Sequence, residues 1–390
     1  MAGHDNILGP DPRPSFFAVA DGTSRIQPPQ DRLGTSVRLA ARSLSVMQKE
    51  ALVASGNSPH VWRLVSDEGA YLDGHNEAPC PLSFLTVGMV SSYMTELLAL
   101  AEQRGITIRD VTLVQDNYYT MKGSALKGTM TGGARDIDLE ARIDSDAAAE
   151  VLRALVYDAV AASPLNGLMR GEKESLFTLT HHGRQVIPDR ARPVTGDIPP
   201  DPAEHINDVQ PFDGDWLELL TQGDMSPLTD EATSHQGSSL AEEQDRVLHI
   251  RGICTLRADG VKQIEQQLFN PHGSIFHFLC DEEGRAPDAI SYMAAGIGFC
   301  FMTQLGRYAK IAKKDLAAYN IVQDIHFSKG GASGGTGQAG RADPVETHVY
   351  LHSLEDDEFA RAALDMGEQT CFLHAFCRTD LKAKVRVVKT

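Results

Sequence analysis

Cysteine is scarce in this 390-residue chain: six occur, at positions 80, 254, 280, 300, 371 and 377, and five of them lie after residue 250. So few, so unevenly placed, exclude a disulfide scaffold. No HExxH and no paired CxxC spacing occurs among the 14 histidines and six cysteines, so neither a metal site nor a cofactor is expected. Basic residues are in deficit, 36 Lys and Arg against 53 Asp and Glu, a formal net charge of −17. Such a surface repels phosphate backbones and anionic headgroups, so neither nucleic acid nor a membrane is an expected partner. No apolar run approaches the roughly 18 residues needed to cross a bilayer. The opening MAGHDNILGPDPRPSFF has no basic segment leading into an apolar one. The expectation is a cytoplasmic protein whose thiols are reduced. What the chain does have is 42% hydrophobic residues, enough for a large core, and a length suited to two or three domains of about 150 residues.

The sequence repeats itself. APCPLSFLTVGMVSSYMTEL (78–97) lies over APDAISYMAAGIGFCFMTQL (286–305) at an offset of 208 residues, with seven of 20 positions identical, among them Gly88/Gly296, Met94/Met302, Thr95/Thr303 and Leu97/Leu305. The same offset places Val114-Gln115-Asp116 on Val322-Gln323-Asp324 and residues 150–170 on 358–378. One offset holding over some 90 residues indicates two homologous halves.

Each half reads as the same series. Alternating apolar stretches (TSVRLAARSLSV, VLHIRGICTLRA) predict strands, and a second strand (HVWRLVSDEG, SIFHFLCDEEG) ends in an acidic turn. A long apolar helix follows, roughly 82–103 and 290–312. In the second copy Ile290, Met293, Ile297, Phe301, Leu305 and Tyr308 form one buried stripe. Then come a strand, a Gly-rich connection, another strand, a second helix and a last strand. Strand runs mixed with two main helices per half predict an α+β fold with antiparallel sheets. The boundaries are 1–185 for the first domain and 241–390 for the second. Residues 186–240, rich in Pro, Asp and Ser, read as a linker with one short helical piece at Asp215–Leu220.

Gly335-Thr336-Gly337-Gln338-Ala339-Gly340 spells a dinucleotide fingerprint, but a strand pattern follows it where a helix is required, so it reads as a hairpin connection. Cys300 and Cys371 carry more. At the offset of 208 they fall on Ser92 and Ser163, so both thiols are replaced together in the first copy. A Cys-to-Ser exchange keeps size and removes thiolate chemistry, which suits a paired function retained in one half. The alternative is that both pack as small hydrophobes, the role assigned to Cys254, Cys280 and Cys377. If Thr370 caps the following FLHAF as a helical turn, the Cys371 sulfur faces backbone N–H donors that favour thiolate.

These residues resemble the OsmC/Ohr proteins (osmotically induced protein and organic hydroperoxide resistance protein). The resemblance covers about 60–185 and 274–388. Its pattern is an acidic turn, a Gly, then a Pro opening an apolar helix with a cysteine eleven residues after that Pro, and a second cysteine after the second helix. Pro81 stands eleven residues before Ser92, and Ala289 takes the Pro position before Cys300. Family members are intertwined homodimers with active sites at the subunit interface. The resemblance therefore implies two OsmC-like domains in one chain forming an intramolecular pseudo-dimer, which could associate further into a homo-oligomer. It also implies a thiol peroxidase with an antioxidant role: Cys300 attacks an organic hydroperoxide and Cys371 resolves the sulfenic acid as a disulfide. An external dithiol reduces both. The acidic surface requires a local cation beside the thiolate, for which Arg251 and Arg378 are nominated. The glutamate that follows the family's Pro has no counterpart: Leu82 and Ser83, or Ile290 and Ser291, stand there, with Asp288 one residue before the Pro position. Two other classes stay open. One is a hydrolase or lyase of a catabolic pathway, with Cys300 or Cys371 as nucleophile and His374 or His277 as base. The other is a non-catalytic binder of hydrophobic ligands in the groove between the halves.

Overall fold

The computed structural model describes residues 6–125, 127–228 and 244–390. In the first half the strands are β1 (Phe17–Ala18), β2 (Gly34–Ser43), β3 (Lys49–Ser55), β4 (Val61–Ser66), β5 (Asp110–Gly123), β6 (Thr131–Ala134), β7 (Ile137–Asp144), β8 (Leu176–His181), β9 (Arg184–Val186) and β10 (Arg192–Pro193). Then follow β11 (Leu220–Met225), β12 (Gln244–Leu256), β13 (Lys262–Asn270), β14 (Ser274–Cys280), β15 (Ala318–Ser328), β16 (Glu346–His352) and β17 (Ala383–Lys389). The helices are α1 (Gly22–Arg25), α2 (Pro81–Gln103), α3 (Ala149–Ala162), α4 (Ala203–Ile206), α5 (Ala289–Ala312), α6 (Asp357–Thr370) and α7 (Phe372–Cys377).

Neither half completes a sheet alone. The first sheet runs β1-β4-β3-β2-β15-β16-β8-β10 with β9 beside β8, and the second runs β11-β14-β13-β12-β5-β7-β17 with β6 beside β5. The junctions are long antiparallel pairings between halves: β2 on β15 from Asn320↔Arg42 to Ser328↔Gly34, and β12 on β5 from Gln244↔Gly123 to Cys254↔Leu113. Beyond each junction the last strand of one half lies parallel to a strand of the other, β8 along β16 and β17 along β7. The sheets are therefore mixed rather than antiparallel. The expectation of antiparallel sheets came from strand runs mixed with two helices per half, and the parallel pairings join strands far apart in sequence.

Helix α5 packs on β2, β3 and β15 of the first sheet, α2 packs on β5, β12 and β13 of the second, and the two helices pack on each other. The helix pair thus lies between the sheets and its apolar surface is consumed there. Both helices are long and apolar enough to cross a membrane, with mean hydropathy 1.4 and 1.3. This corrects the sequence expectation that no segment approaches that length and apolarity. Short polar interruptions such as Ser91-Ser92 break the run by eye, but inside the protein the residues of α5 from Ala289 to Arg307 are all buried.

The helices approach closely because glycines face the crossing. A Cβ on Gly88 would sit 2.7 Å from the Ala289 carbonyl oxygen, and one on Gly296 would sit 2.9 Å from the Leu85 nitrogen. These are the glycines that match at the 208-residue offset.

Residues 186–228 do more than link. Strand β11 pairs with β14, Leu220 opposite Phe278, and the expected helical piece is a single 3-10 turn at Leu217–Leu219 leading into it. Ile206 and Val209 are buried against Phe17, Val19, Ile26, Leu52 and Val61, a small second core on the outer face of the first sheet. Asn320 Nδ2 donates to Asp201 Oδ1 at 2.8 Å, fastening the strap to β15. The Pro-rich composition hid this, because Pro is excluded only from the interior of a sheet and is tolerated at its edge, as at Pro193 in β10. The rest of the expected linker, 229–240, lies outside the described residues.

Gly88→Ala is expected to lower stability by about 1–3 kcal/mol by forcing the helices apart. Urea unfolding midpoints measure it, and an unchanged midpoint would show that the crossing tolerates a side chain.

Candidate active site

Helix α5 starts at a firm cap. Asp288 accepts a hydrogen bond from the Ser291 backbone N–H at 2.9 Å and from the Ser55 hydroxyl at 2.5 Å. Twelve residues on, about 18 Å along the axis, Cys300 is 1% exposed. Helix α6 ends at Thr370 and the chain turns through Cys371, which is extended (φ −70°, ψ 119°) and opens α7. The Cys371 sulfur accepts the backbone N–H of His374 at 3.5 Å. Cys371 itself is thus the capping residue; Thr370, nominated for that role, instead donates its hydroxyl to the Met366 carbonyl at 2.6 Å.

The Cys300 thiol interacts with the Cys371 sulfur and with the backbone N–H groups of Phe372 and Leu373. The two cysteines, 71 residues apart in sequence, are brought together, and both are buried. Ser92 in α2 and Ser163 at the end of α3 are arranged alike, their hydroxyl oxygens 2.7 Å apart.

Cys300 lines a narrow cleft with a free volume of about 30 Å³. The first half supplies Glu68, Tyr71, Leu72, Cys80, Pro81 and Leu82; the second supplies Arg246, Leu248, Leu268, Thr303, Gln304, Arg307 and Phe372, among others. The acidic turn that carries Glu68 is pinned by Asp67, whose carboxylate accepts the backbone N–H groups of Glu68 (2.7 Å), His75 (3.2 Å) and Glu77 (3.2 Å).

Charge is concentrated here despite the burial. Lys49 from β3 is fully buried, and its Nζ donates to Thr303 Oγ1, one turn past Cys300, at 2.6 Å and to the Met47 carbonyl at 3.1 Å. Burial pushes Lys49 down to about 8 against the pull of Glu68 and Asp67. Burial pushes Glu68 up to about 7, opposed by Lys49 and by the Tyr71 hydroxyl, which donates to Glu68 Oε2 at 2.8 Å. Arg307 is lowered to about 10, first by burial and then by the nearby charge of Arg246. The Cys300 thiol is itself pushed well up by burial and by its Cys371 neighbour, against the two backbone N–H donors. At neutral pH it rests as a thiol in a cationic setting.

The supporting residues named from sequence lie elsewhere. Asp288 is at the far end of α5 and holds its cap. Arg251 spans Asp116 at 2.9 and 3.0 Å and lies over the Phe269 ring. Arg378 pairs with Glu368 at 2.5 Å and lines a separate cleft with Arg190 and Asp365. His277 sits in β14 opposite Thr221 and Glu265, and it does not line the cleft. His374 is buried between Phe177 and Phe301, its Nδ1 2.7 Å from the Ser175 hydroxyl. Burial holds the His374 imidazole down to about 3, so it stays neutral and is a poor base. Its contribution to Cys371 comes from the backbone.

Sequence reading missed Glu68, Lys49, Arg246, Arg307 and Cys80. Arg307 lies seven residues past Cys300, two turns along one helix face, and that spacing was legible. Glu68 belongs to the acidic turn and was read as a turn only. Lys49 has no local signal. The glycine-rich segment before β16 is the expected connection between two strands. It packs against the serine pair: Gly331 N–H donates to Ala162 O at 2.9 Å, Gly340 N–H to Ala161 O at 2.9 Å, and Ala332 N–H to Glu96 Oε2 at 2.8 Å.

No family model matches the chain, and no curated protein matches it. Among solved structures it is similar to an OsmC-like hydroperoxide resistance protein from Jannaschia sp. CCS1, at 22% identity over 29% of this chain and 75% of that one, with a TM-score of 0.20.

The pH dependence of stability follows from Glu68. Its folded pKa is raised above the usual 4.5, so the folded state holds the proton that the unfolded state has released as pH rises through this window. Stability is therefore lost between about pH 4.5 and pH 7. Glu68→Gln is expected to flatten the urea midpoint over that range; a slope equal to the wild type's would remove Glu68 from the ionisation argument.

Proposed function

We propose that this chain is a thiol-dependent organic hydroperoxide reductase, a tandem protein of the OsmC/Ohr type. In this reading two homologous halves form an intramolecular pseudo-dimer, and only the second half carries the working thiols. One observation carries it: the Cys300 thiol meets the Cys371 sulfur and two backbone N–H donors at the wall of a cleft that mixes apolar side chains with Glu68 and Arg307. The cross-half sheets support the pseudo-dimer, since each resembles a dimer interface joined by one polypeptide.

The Cys300 sulfur attacks the distal peroxide oxygen, the O–O bond breaks, and the departing alkoxide takes up the proton the thiol gave away. The products are an alcohol and Cys300 sulfenic acid. The Cys371 thiol then condenses with it, forming the disulfide and releasing water. An external cytoplasmic dithiol reduces the disulfide and is itself oxidised. Glu68, poised near neutrality, is the group in the cleft suited to receive the thiol proton, and Arg307 stabilises the thiolate and the developing alkoxide.

Cumene hydroperoxide added to the reduced protein should consume two thiols and lower the mass by two hydrogens. In Cys371→Ser the same treatment should leave a sulfenic acid on Cys300, trapped by dimedone. Arg307→Gln should slow Cys300 oxidation by roughly 100-fold, the usual cost of losing one preorganised charge donor. A stable sulfinate on Cys300 with Cys371 untouched in the wild type would sink the resolving role.

A further inference from the structure

Strand β5 turns a polar face inward just where it nears the thiols. Gln115, Asn117 and Tyr119 alternate along it, all three buried. Gln115 Nε2 donates to Asn117 Oδ1 at 2.8 Å, and Thr86 Oγ1 from α2 donates to the same oxygen at 3.2 Å. Held so, the amide lies with its nitrogen beside the Tyr119 hydroxyl. Yet neither Asn117 Nδ2 nor Tyr119 Oη completes a hydrogen bond among the described residues. Such atoms have given up water and gained nothing, so they are rare in a core and call for a reason.

Their place supplies one. Tyr119 is paired in register with Leu248, and its ring centre is 6.0 Å from that of Phe372. Both neighbours line the cleft with Cys300. Strand β6, which sets Ala134 opposite Tyr119, lies against the turn that carries Cys371: a Cβ on Gly132 would sit 2.6 Å from the Thr370 carbonyl oxygen. Burial pushes the Tyr119 phenol well up, and the nearby Cys300 sulfur adds to this, so the hydroxyl keeps its proton and remains a donor. At the 208-residue offset Asn117 and Tyr119 become Ile325 and Phe327. These stand on β15, which runs into the glycine-rich segment packed on the serine pair. The polar couple accompanies the thiols, and an apolar couple accompanies the serines.

We propose that Tyr119 receives the oxygen that Cys300 gains on oxidation: its hydroxyl donates to the sulfenic oxygen, and the Asn117 amide donates in turn to Tyr119. Oxidation then completes both missing hydrogen bonds. When the Cys371 sulfur closes on Cys300, that oxygen departs with the Cys371 thiol proton as water, and Tyr119 holds it as it leaves. Tyr119 touches a reacting atom; Asn117 is a positioning residue. For turnover the inference rests on the hydroperoxide reading. As a niche for a sulfenic oxygen it does not depend on which oxidant supplies that oxygen.

The test uses full-length protein carrying Cys371→Ser, in which the sulfenic acid accumulates. One equivalent of cumene hydroperoxide, or of hypochlorous acid as a second oxidant, should shift the C–O stretching band of one tyrosine in the infrared difference spectrum. Adding Tyr119→Phe should remove that band. With Cys371 present, Tyr119→Phe should slow the condensation of the sulfenic acid with Cys371 roughly tenfold, the size expected for one hydrogen bond. Sulfenic acid formed without any tyrosine band shift would overturn the proposal with no change at 119, and so would an unaltered condensation rate in Tyr119→Phe. The two readings separate cleanly. A Cys300 inert to cumene hydroperoxide, whose sulfenic acid made by hypochlorous acid still shifts the band, removes the reductase and keeps the niche. Ready oxidation by cumene hydroperoxide with no tyrosine shift does the reverse.

Discussion

Everything at the candidate site depends on strands that pair across the two halves of the chain. Strand β12 needs β5, and β2 needs β15. These junctions bring the acidic turn and Lys49 of the first half against the α5 helix of the second. Remove them and Glu68, Lys49 and Cys300 have no reason to meet. The glycines at the α2–α5 crossing serve the same end, since a helix separation larger by one side chain would widen the cleft between Pro81 and Cys300. The core and the site are one construction, which is why a fold built from sequence-distant pairings also builds chemistry from sequence-distant residues.

The second constraint is electrostatic. Burial penalises every charge in the cleft, so Lys49, Arg307 and Glu68 are all displaced toward their neutral forms. The same burial raises Cys300. In the proposed reaction such a thiol becomes nucleophilic only when its proton has somewhere to go and its negative charge is met by cations. Both provisions are at hand: a carboxyl near neutrality, and the basic Lys49 and Arg307 near it. That local excess is the opposite of the overall charge of −17, and the reason composition gave no hint of it.

How much was legible from sequence can be argued residue by residue. Cys300 and Cys371 stand out in the sequence because Ser92 and Ser163 lie at the same offset, a comparison internal to the chain. The order of strands and helices was legible for the same reason, since each half supports the reading of the other. The cations were misassigned. Arg251 and Arg378 each already have a carboxylate partner, Asp116 and Glu368. Which arginine is paired and which is spare is a property of tertiary packing, and one-dimensional spacing does not carry it. Asp288 was nominated because it neighbours the Pro position, but a residue there faces the first turn of the helix, and its carboxylate is consumed as a cap. The strap at 186–228 was missed because its strands are short and at sheet edges, where the usual strand signals are weakest.

The proposed duplication also explains why one site would work and the other would not. At the offset of 208, Arg307 corresponds to Ala99 and Gln304 to Glu96. In the serine half Glu96 has no arginine to meet. It accepts the Ala332 and Ser333 backbone N–H groups at 2.8 and 3.2 Å and so holds the glycine-rich segment against that pair. Gly340 lies so near Ser163 that a Cβ there would stand 1.9 Å from its carbonyl oxygen. Cysteines placed at 92 and 163 would therefore meet the glycine-rich segment where the other pair meets a cleft. In the proposed reading, that half differs in surroundings as much as in thiols. Conversely the changes that define the other half, a neutral Gln304 and a charged Arg307 on the same helix, act together: the amide orients a guanidinium that a carboxylate in its place would have neutralised.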